Sequence, residues 1–326
     1  MRKTAILPAW GRILRGYRPF LSIEITKECP LRCPGCYVYE PGHLNNGHPV
    51  GALIESQSAE LVERVLGLVG RFRPLHVSIV GGEPLVRYRE VTCLIGRLNT
   101  MGIEVQIVTS AVRPIPAEWT EFPNLHLVVS VDGLQPEHDA RRAPATYDHI
   151  LRHVEGHRII VHCTVTPQSL VRPDYLKEFA HVWSCQEGVR KIWFSLFTPQ
   201  IGEHPPERLS AADRTTAIDR IAALRPLYPK VYAPAVVIHG YRHPPGSPSE
   251  CIFAQTTSCV SADLATPVTP CQIGGQPECS ECGCIAAAGL ASIGKVKLAG
   301  LLKVSDVFAV SKKLGDRWRA GGAGAE

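Results

Sequence analysis

Apolar residues in this chain gather in short β-like runs separated by longer stretches in which they recur every three or four positions. The runs are Phe20–Thr26, Leu75–Val80, Ile103–Thr109, Leu125–Val131, Ile159–Thr166 and Lys191–Phe197. They are mostly rich in Val and Ile and are bounded by turn or helix-start residues, a pattern that predicts strands. Between them, Ser58–Gly70 puts Leu61, Val62, Val65, Leu66 and Val69 on one face, with Ser58 placed to cap the helix start and Gly70 its end. Ser210–Leu224 opens on a capping-box-like Ser210/Asp213 pair and is the last helix of this kind. Six strand–helix units in succession predict parallel strands joined by right-handed crossovers. The expected fold is α/β: a partial (βα)6 barrel, open or closed, over residues 18–227. Chemistry in such folds sits at the C-terminal ends of the strands.

The pattern changes after Leu227. Pro234, Pro244, Pro245 and Pro248 lead into a cysteine-rich region without a further regular βα unit, so residues 228–326 read as a loop-rich extension held together by metal. The tail Gly321–Glu326 is expected to be disordered. With 326 residues and 45% hydrophobic composition, the chain has material for one large core and a smaller appendage. The balance of 35 Lys+Arg against 30 Asp+Glu is too mild and dispersed to make nucleic acid the main partner. Neither a secretory pattern nor a bilayer-length apolar run is present, which points to the cytoplasm. Two stretches mix basic and apolar residues. In residues 1–17, Ile6, Leu7, Trp10, Ile13 and Leu14 stand among Arg2, Lys3, Arg12 and Arg15; Lys295 to Lys313 interleaves charge with Leu298, Leu301, Leu302 and Phe308. Either these rest on a membrane surface as a peripheral contact, or they are amphipathic helices packed on the barrel.

Twelve cysteines in a reducing compartment read as metal ligands more readily than as disulfides. Cys29, Cys33 and Cys36 lie in the run Cys-Pro-Leu-Arg-Cys-Pro-Gly-Cys directly after the first strand. A tight loop brings thiolates so spaced to three corners of an iron–sulfur cube and leaves the fourth iron open; the plainer reading is three of four zinc ligands. A second group comprises Cys251, Cys259, Cys271, Cys279, Cys282 and Cys284, more thiolates than one tetrahedral ion uses. Cys282 and Cys284 are so close in sequence that geometry works against both binding one cluster. Cys93, Cys163 and Cys185 stand alone and read as buried structural thiols.

Gly81-Gly82-Glu83-Pro84 follows the second strand. Its glycines let the backbone approach a ligand, and Glu83 can orient an ammonium group. Ser130 and Asp132, ending the fourth strand, face the same way and can reach one sugar; His138, Asp139 and Arg141 follow. In this order, the three-cysteine loop, the glycine segment and the Ser130–Asp132 segment resemble the radical S-adenosylmethionine (SAM) superfamily over residues 18–225. The resemblance implies a [4Fe–4S] cluster on Cys29, Cys33 and Cys36 whose open iron is chelated by SAM. One electron, from a donor such as flavodoxin or ferredoxin, then cleaves SAM to a 5′-deoxyadenosyl radical that abstracts hydrogen from a substrate. It implies that Gly81, Gly82, Glu83 and Pro84 hold the SAM amino group, and that Ser130, Asp132 and Arg141 contact its ribose and carboxylate. Thr109, Ser110, Thr164 and Thr166 become candidates for lining the pocket.

Many members of that family place an aromatic residue before the third cysteine, against adenine. This chain has Gly35 there, and Tyr37 is the candidate replacement. The rear cysteine group resembles SPASM or twitch extensions, which implies an auxiliary [4Fe–4S] cluster, with zinc as the alternative. Peptide or protein modification fits that extension, although no recognition domain fits ahead of residue 18; a small metabolite or lipid precursor is the other substrate class. The reading from a different class is a zinc-stabilised binding protein without catalysis. Gly289–Val296 nearly spells a P-loop, but Val296 replaces the metal-binding hydroxyl, which argues against a nucleotide site.

Overall fold

The computed structural model describes residues 6–294, 297–298 and 302–322. After helix α1 (Ile6–Leu14) come six strands: β1 (Phe20–Glu24), β2 (His76–Val80), β3 (Glu104–Thr109), β4 (Leu125–Ser130), β5 (Ile159–Val165) and β6 (Val189–Leu196). They pair in chain order and all in parallel. Parallel pairing requires crossovers. These are supplied by α2 (Ser58–Phe72), α3 (Tyr88–Thr100), a short turn of helix at Ala117–Glu121, the pair α4 (Gln135–Arg142) and α5 (Tyr147–His153), and α6 (Tyr175–Cys185). Helix α7 (Ala211–Leu224) follows β6, with the Ser210 hydroxyl accepting from the Asp213 N–H at 3.1 Å as the capping pattern predicts. The apolar faces of these helices and the strand side chains form one continuous core, with Trp119, Trp183, Phe179 and Tyr175 among its largest fully buried members.

Helix α2 buries Leu61, Val62, Val65 and Val69 as the periodicity requires, but Leu68 is buried where Leu66 is only partly so. Ser58 is the first helical residue after an N-cap at Gln57 and makes no cap bond, and the helix runs through Gly70 to Phe72. Its stop is Arg73, in the left-handed region at φ 48°.

The sheet also contains a strand that the periodicity does not announce. Strand β7 (Thr257–Val260) lies parallel to β1 on its outer side, with Phe20 opposite Thr257 and Ile23 opposite Val260. The extension is therefore built onto the barrel edge. Helices α8 (Ala235–Arg242), α9 (Ile252–Thr256) and α10 (Ile285–Gly294) accompany it. α8 and α10 touch backbone to backbone: a Cβ on Gly240 would lie 2.1 Å from the Ala288 carbonyl oxygen. Tyr241 on α8 is buried and donates its hydroxyl to the Phe194 carbonyl of β6.

Helix α11 (Val304–Gly322) packs on α1, so the two mixed basic and apolar stretches meet each other. Among the described residues no helix is long and apolar enough to cross a membrane. Of the near-P-loop, Gly289–Gly294 belongs to α10. Its Lys295 and Val296 lie outside the described residues, as do Arg2, Lys3, Leu301 and the tail from 323. Cys163 is buried as expected, whereas Cys93 on α3 and Cys185 on α6 are exposed, because their helices turn those positions away from the sheet.

Candidate functional site

Cys29, Cys33 and Cys36 share the loop leaving the C-terminal end of β1, and all three are partly exposed. The loop holds its own shape: the Cys36 N–H donates to the Cys33 carbonyl at 3.3 Å, the Tyr39 N–H to the Cys36 carbonyl at 3.1 Å, and Arg32 to the Cys29 carbonyl at 2.8 Å. Burial, then the charges of Glu83, Cys36 and Cys33, push the Cys29 thiol up to about 11. Cys36 is raised by burial and by Cys33, and lowered by its backbone hydrogen bond with Val38 and by the charge of Arg142. Thiols that raise one another this way stay protonated without metal and release their protons to it. Three sulfur donors in mutual electrostatic reach fit an iron–sulfur cluster with an open corner.

The glycine segment answers first to the chain itself. Gly81 has φ 81°, and a Cβ there would lie 2.4 Å from the Glu24 Cβ; on Gly82 it would lie 2.2 Å from the Glu28 carbonyl oxygen. The two glycines thus let the β2 loop press against the stretch that leads into Cys29, and the Glu83 N–H bonds the Glu28 carbonyl at 2.8 Å. Glu83 is 1% exposed. One carboxylate oxygen accepts from the Leu85 N–H at 3.0 Å and the Thr109 hydroxyl; the other accepts from the Ser110 N–H at 2.7 Å and the Ser110 hydroxyl. All four donors are internal, so Glu83 braces β2 to the end of β3, and Ser110 belongs to that brace. Pro84 opens the turn of helix Pro84–Arg87. Arg87 then reaches back to Glu28 at 2.9 Å and Glu55 at 3.1 Å, tying the same loop a second time.

Asp132 is likewise engaged. Its carboxylate takes Arg142 at 2.7 Å and Arg141 at 3.1 Å on one oxygen and the Thr164 N–H at 2.9 Å on the other. Burial acts to raise its pKa, but the two guanidiniums outweigh that and hold it well below the usual carboxylate range. Its own N–H is accepted by His138 Nδ1 at 3.2 Å. Ser130 lies buried at the end of β4. Arg141 also meets Glu207 at 3.5 Å. Thr166 caps the turn Pro167–Leu170.

Tyr37 turns toward the extension, where its hydroxyl accepts from Gln272 Nε2 at 3.3 Å. The space in front of Gly35 is taken by Phe197, just beyond β6, whose ring would lie 2.7 Å from a Cβ at that glycine. Next to Tyr37, His43 donates to the Ile273 carbonyl at 2.9 Å and meets buried Glu24 at 2.6 Å; the Ser261 hydroxyl caps the other Glu24 oxygen at 2.7 Å. The front cysteine loop is thereby bonded to residues 272–273, adjacent to Cys271.

In the rear group, Cys251, Cys271, Cys279, Cys282 and Cys284 line one small cavity. Cys282 and Cys284 share it despite their spacing. Cys259, on β7, lies outside the lining of that cavity and packs among Val38, Leu44 and Val268, while its charge still reaches Cys271 and Cys284. Arg214 on α7 fixes the cavity wall, donating to the carbonyls of Glu281 at 2.8 Å, Cys282 at 2.8 Å and Tyr241 at 2.9 Å. Among the described residues, no three His, Cys, Asp or Glu side chains converge as a single metal ion requires.

Residues 23–182 match the Radical SAM superfamily. This stretch is a radical SAM superfamily domain. Over 102 residues it is 34% identical to the 7-carboxy-7-deazaguanine synthase of Hyperthermus butylicus, covering 31% of this chain and 39% of that protein. Over 96 residues it is 33% identical to the PqqA peptide cyclase of Methylobacterium sp., covering 28% of this chain and 22% of that one. The chain thus spans less than half the length of either relative. The solved structure of Streptococcus suis SuiB bound to precursor peptide SuiA shares the fold at a TM-score of 0.56 and 16% identity, covering 94% of this chain and 66% of that one.

Within the radical SAM domain, sequence reasoning missed Arg142, Phe197 and Arg87. Arg142 stands next to Arg141, and a helix that must hold one buried carboxylate between two guanidiniums is visible only once folded. Phe197 had a signal: a glycine where relatives have a ring calls for a ring from elsewhere.

Proposed function

We propose that this chain is a radical SAM enzyme that acts on a peptide or protein substrate. The observation that carries the reading is that one loop at the C-terminal end of β1 presents Cys29, Cys33 and Cys36, all partly exposed and within electrostatic reach of one another, beside the Glu83 brace. Cys29, Cys33 and Cys36 would hold a [4Fe–4S] cluster, and that group would supply one-electron reductive cleavage of SAM to methionine and a 5′-deoxyadenosyl radical, given an electron from a donor such as flavodoxin or ferredoxin.

The chain's own residues do the rest. Asp132 orients Arg141 and Arg142, and although Asp132 and Glu207 together offset the two guanidiniums, Arg142 stands within electrostatic reach of Cys33 and Cys36, a fixed cation placed to meet the carboxylate of SAM. Phe197, lying over Gly35, offers the apolar surface for adenine that Tyr37 does not. Glu83, Gly81 and Gly82 keep the loop in place so that its backbone carbonyls can meet the SAM amino group. The five cysteines around the rear cavity supply more than the four thiolates of a second [4Fe–4S] cluster, and their all-sulfur donor set suits it. Twelve free thiols and iron–sulfur chemistry suit the reducing cytoplasm.

The similarity to a peptide cyclase supports a peptide substrate. The similarity to 7-carboxy-7-deazaguanine synthase favours a second reading, a small heterocyclic metabolite. The test is anaerobic reconstitution of the wild type and of a variant with Cys29, Cys33 and Cys36 changed to Ala. Iron should fall from about eight to about four per chain, and 5′-deoxyadenosine formation with dithionite and SAM should stop. Zinc without iron in both proteins would overturn the reading and leave a metal-stapled binding protein. Stimulation of 5′-deoxyadenosine formation by heterocycles and not by peptides would favour the metabolite.

A further inference from the structure

The segments that mix basic and apolar residues build a site together. α1 and α11 meet at two glycines: a Cβ on Gly315 would lie 2.0 Å from the Ile13 carbonyl oxygen, and one on Gly16 would lie 2.5 Å from the Gly315 carbonyl oxygen. This contact sets α11 along the flank of β7 and leaves a groove of about 590 Å3 between them. Ile13, Val268 and Phe308, all buried, form its apolar floor.

Arg18, Arg71 and Arg319 stand exposed on its rim. Among the described residues none of the three has a carboxylate partner: Arg18 donates to the Thr257 carbonyl at 2.9 Å, Arg319 donates to the Gly16 carbonyl at 3.1 Å and lies over the Tyr17 ring, and Arg71 lies over Phe72. The acidic residue in the groove, Asp316, is neutralised by Lys312. Fixed positive charge over an apolar floor complements a ligand with carboxylates on one side and aliphatic groups on the other.

We propose that this groove docks an acidic, amphipathic segment of the polypeptide substrate, an inference that rests on the peptide reading above. Pro270 borders both the groove and the rear cysteine cavity, so a segment lying in the groove ends beside Cys271. Recognition comes from side chains and not from an added strand. The outer edge of β7 is closed by Arg18 on the Thr257 carbonyl and by the Val268 N–H on the Cys259 carbonyl at 3.0 Å.

The test is fluorescence anisotropy of a fluorescein-labelled Glu-Leu repeat peptide and its Lys-Leu counterpart with the reconstituted full chain. The Glu-Leu peptide should bind at least about tenfold more tightly than the Lys-Leu peptide, weaken with salt, and lose about tenfold in Arg71→Glu. Arg71 is the decisive variant because its side chain holds no other element, whereas Arg319→Glu would also loosen the α1–α11 contact. Equal binding of the two peptides, or an affinity unchanged in Arg71→Glu, overturns the proposal. So does tighter, Arg71-dependent binding of phosphatidylserine vesicles or an RNA oligomer, which would assign the groove to another partner. Binding is read without turnover. Groove binding in a protein that modifies no peptide would sink the peptide-substrate reading alone; peptide modification indifferent to Arg71→Glu would sink the groove alone.

Discussion

Replacing Glu83 by Gln removes one negative charge and exchanges one acceptor oxygen for an amide that only donates. The Thr109 and Ser110 hydroxyls can rotate to accept from that amide, but the main-chain N–H groups of Leu85 and Ser110 cannot. Each oxygen of Glu83 serves one of those N–H groups, so either orientation of the new amide leaves one buried N–H without an acceptor. That costs about 1–3 kcal/mol. Loss of charge assistance in the remaining bonds brings the total to roughly 2–4 kcal/mol. Urea denaturation of the metal-free protein under anaerobic conditions, followed by the fluorescence of buried Trp119 and Trp183, reads this directly. A second signal comes from Cys29. The Glu83 charge helps raise that thiol to about 11, so Gln should lower it and speed iodoacetamide alkylation at alkaline pH. A variant as stable as wild type, with unchanged Cys29 reactivity and only SAM binding impaired, would refute the brace and return Glu83 to ligand binding.

Asp132→Asn should cost about 3 kcal/mol by leaving the largely buried Arg142 beside a neutral group, while Arg141 keeps Glu207. Because the folded pKa of Asp132 lies below its unfolded value of 3.8, its stabilisation is present above that value and is lost as pH falls through the folded pKa. The variant should therefore show a shallower loss of stability in acid, and an acid limb identical to wild type in denaturation curves would contradict the pairing. Cys282→Ala should lower iron content while leaving SAM cleavage intact, whereas Cys259→Ala should leave iron unchanged. Iron lost on replacing Cys259 would place the rear metal elsewhere.

The six barrel strands were legible because each is a run of β-branched and aliphatic residues set between helical periods. β7 was not, since Thr-Ser-Cys-Val carries no period of its own and becomes a strand only beside the edge of β1. The front cysteine loop and the glycine segment were legible as a spacing and an order. The reason for the glycines was not, because Gly82 presses on Glu28, a carbonyl far away in sequence. Charges suffered most. Glu83 and Asp132 look like free ligand groups along the chain, yet their partners Ser110 and Thr164 arrive from other strand ends and Arg142 from the end of α4. For the rear cysteines, sequence spacing carries no information about which of them line one cavity, and so Cys259 could not be separated from the other five.

The bonds joining Tyr37 to Gln272 and His43 to Ile273, with β7 beside β1, bear on how modular this protein is. An excised barrel ending before α8 would bare the edge of β1, strip Glu24 of Ser261 and leave the loop after Cys36 without its far anchor. The extension is therefore no removable accessory. Evolution or engineering that swaps the rear cysteine region must carry across the strand, the serine and the glutamine that complete the front one, and barrel and extension should mature as a single folding unit.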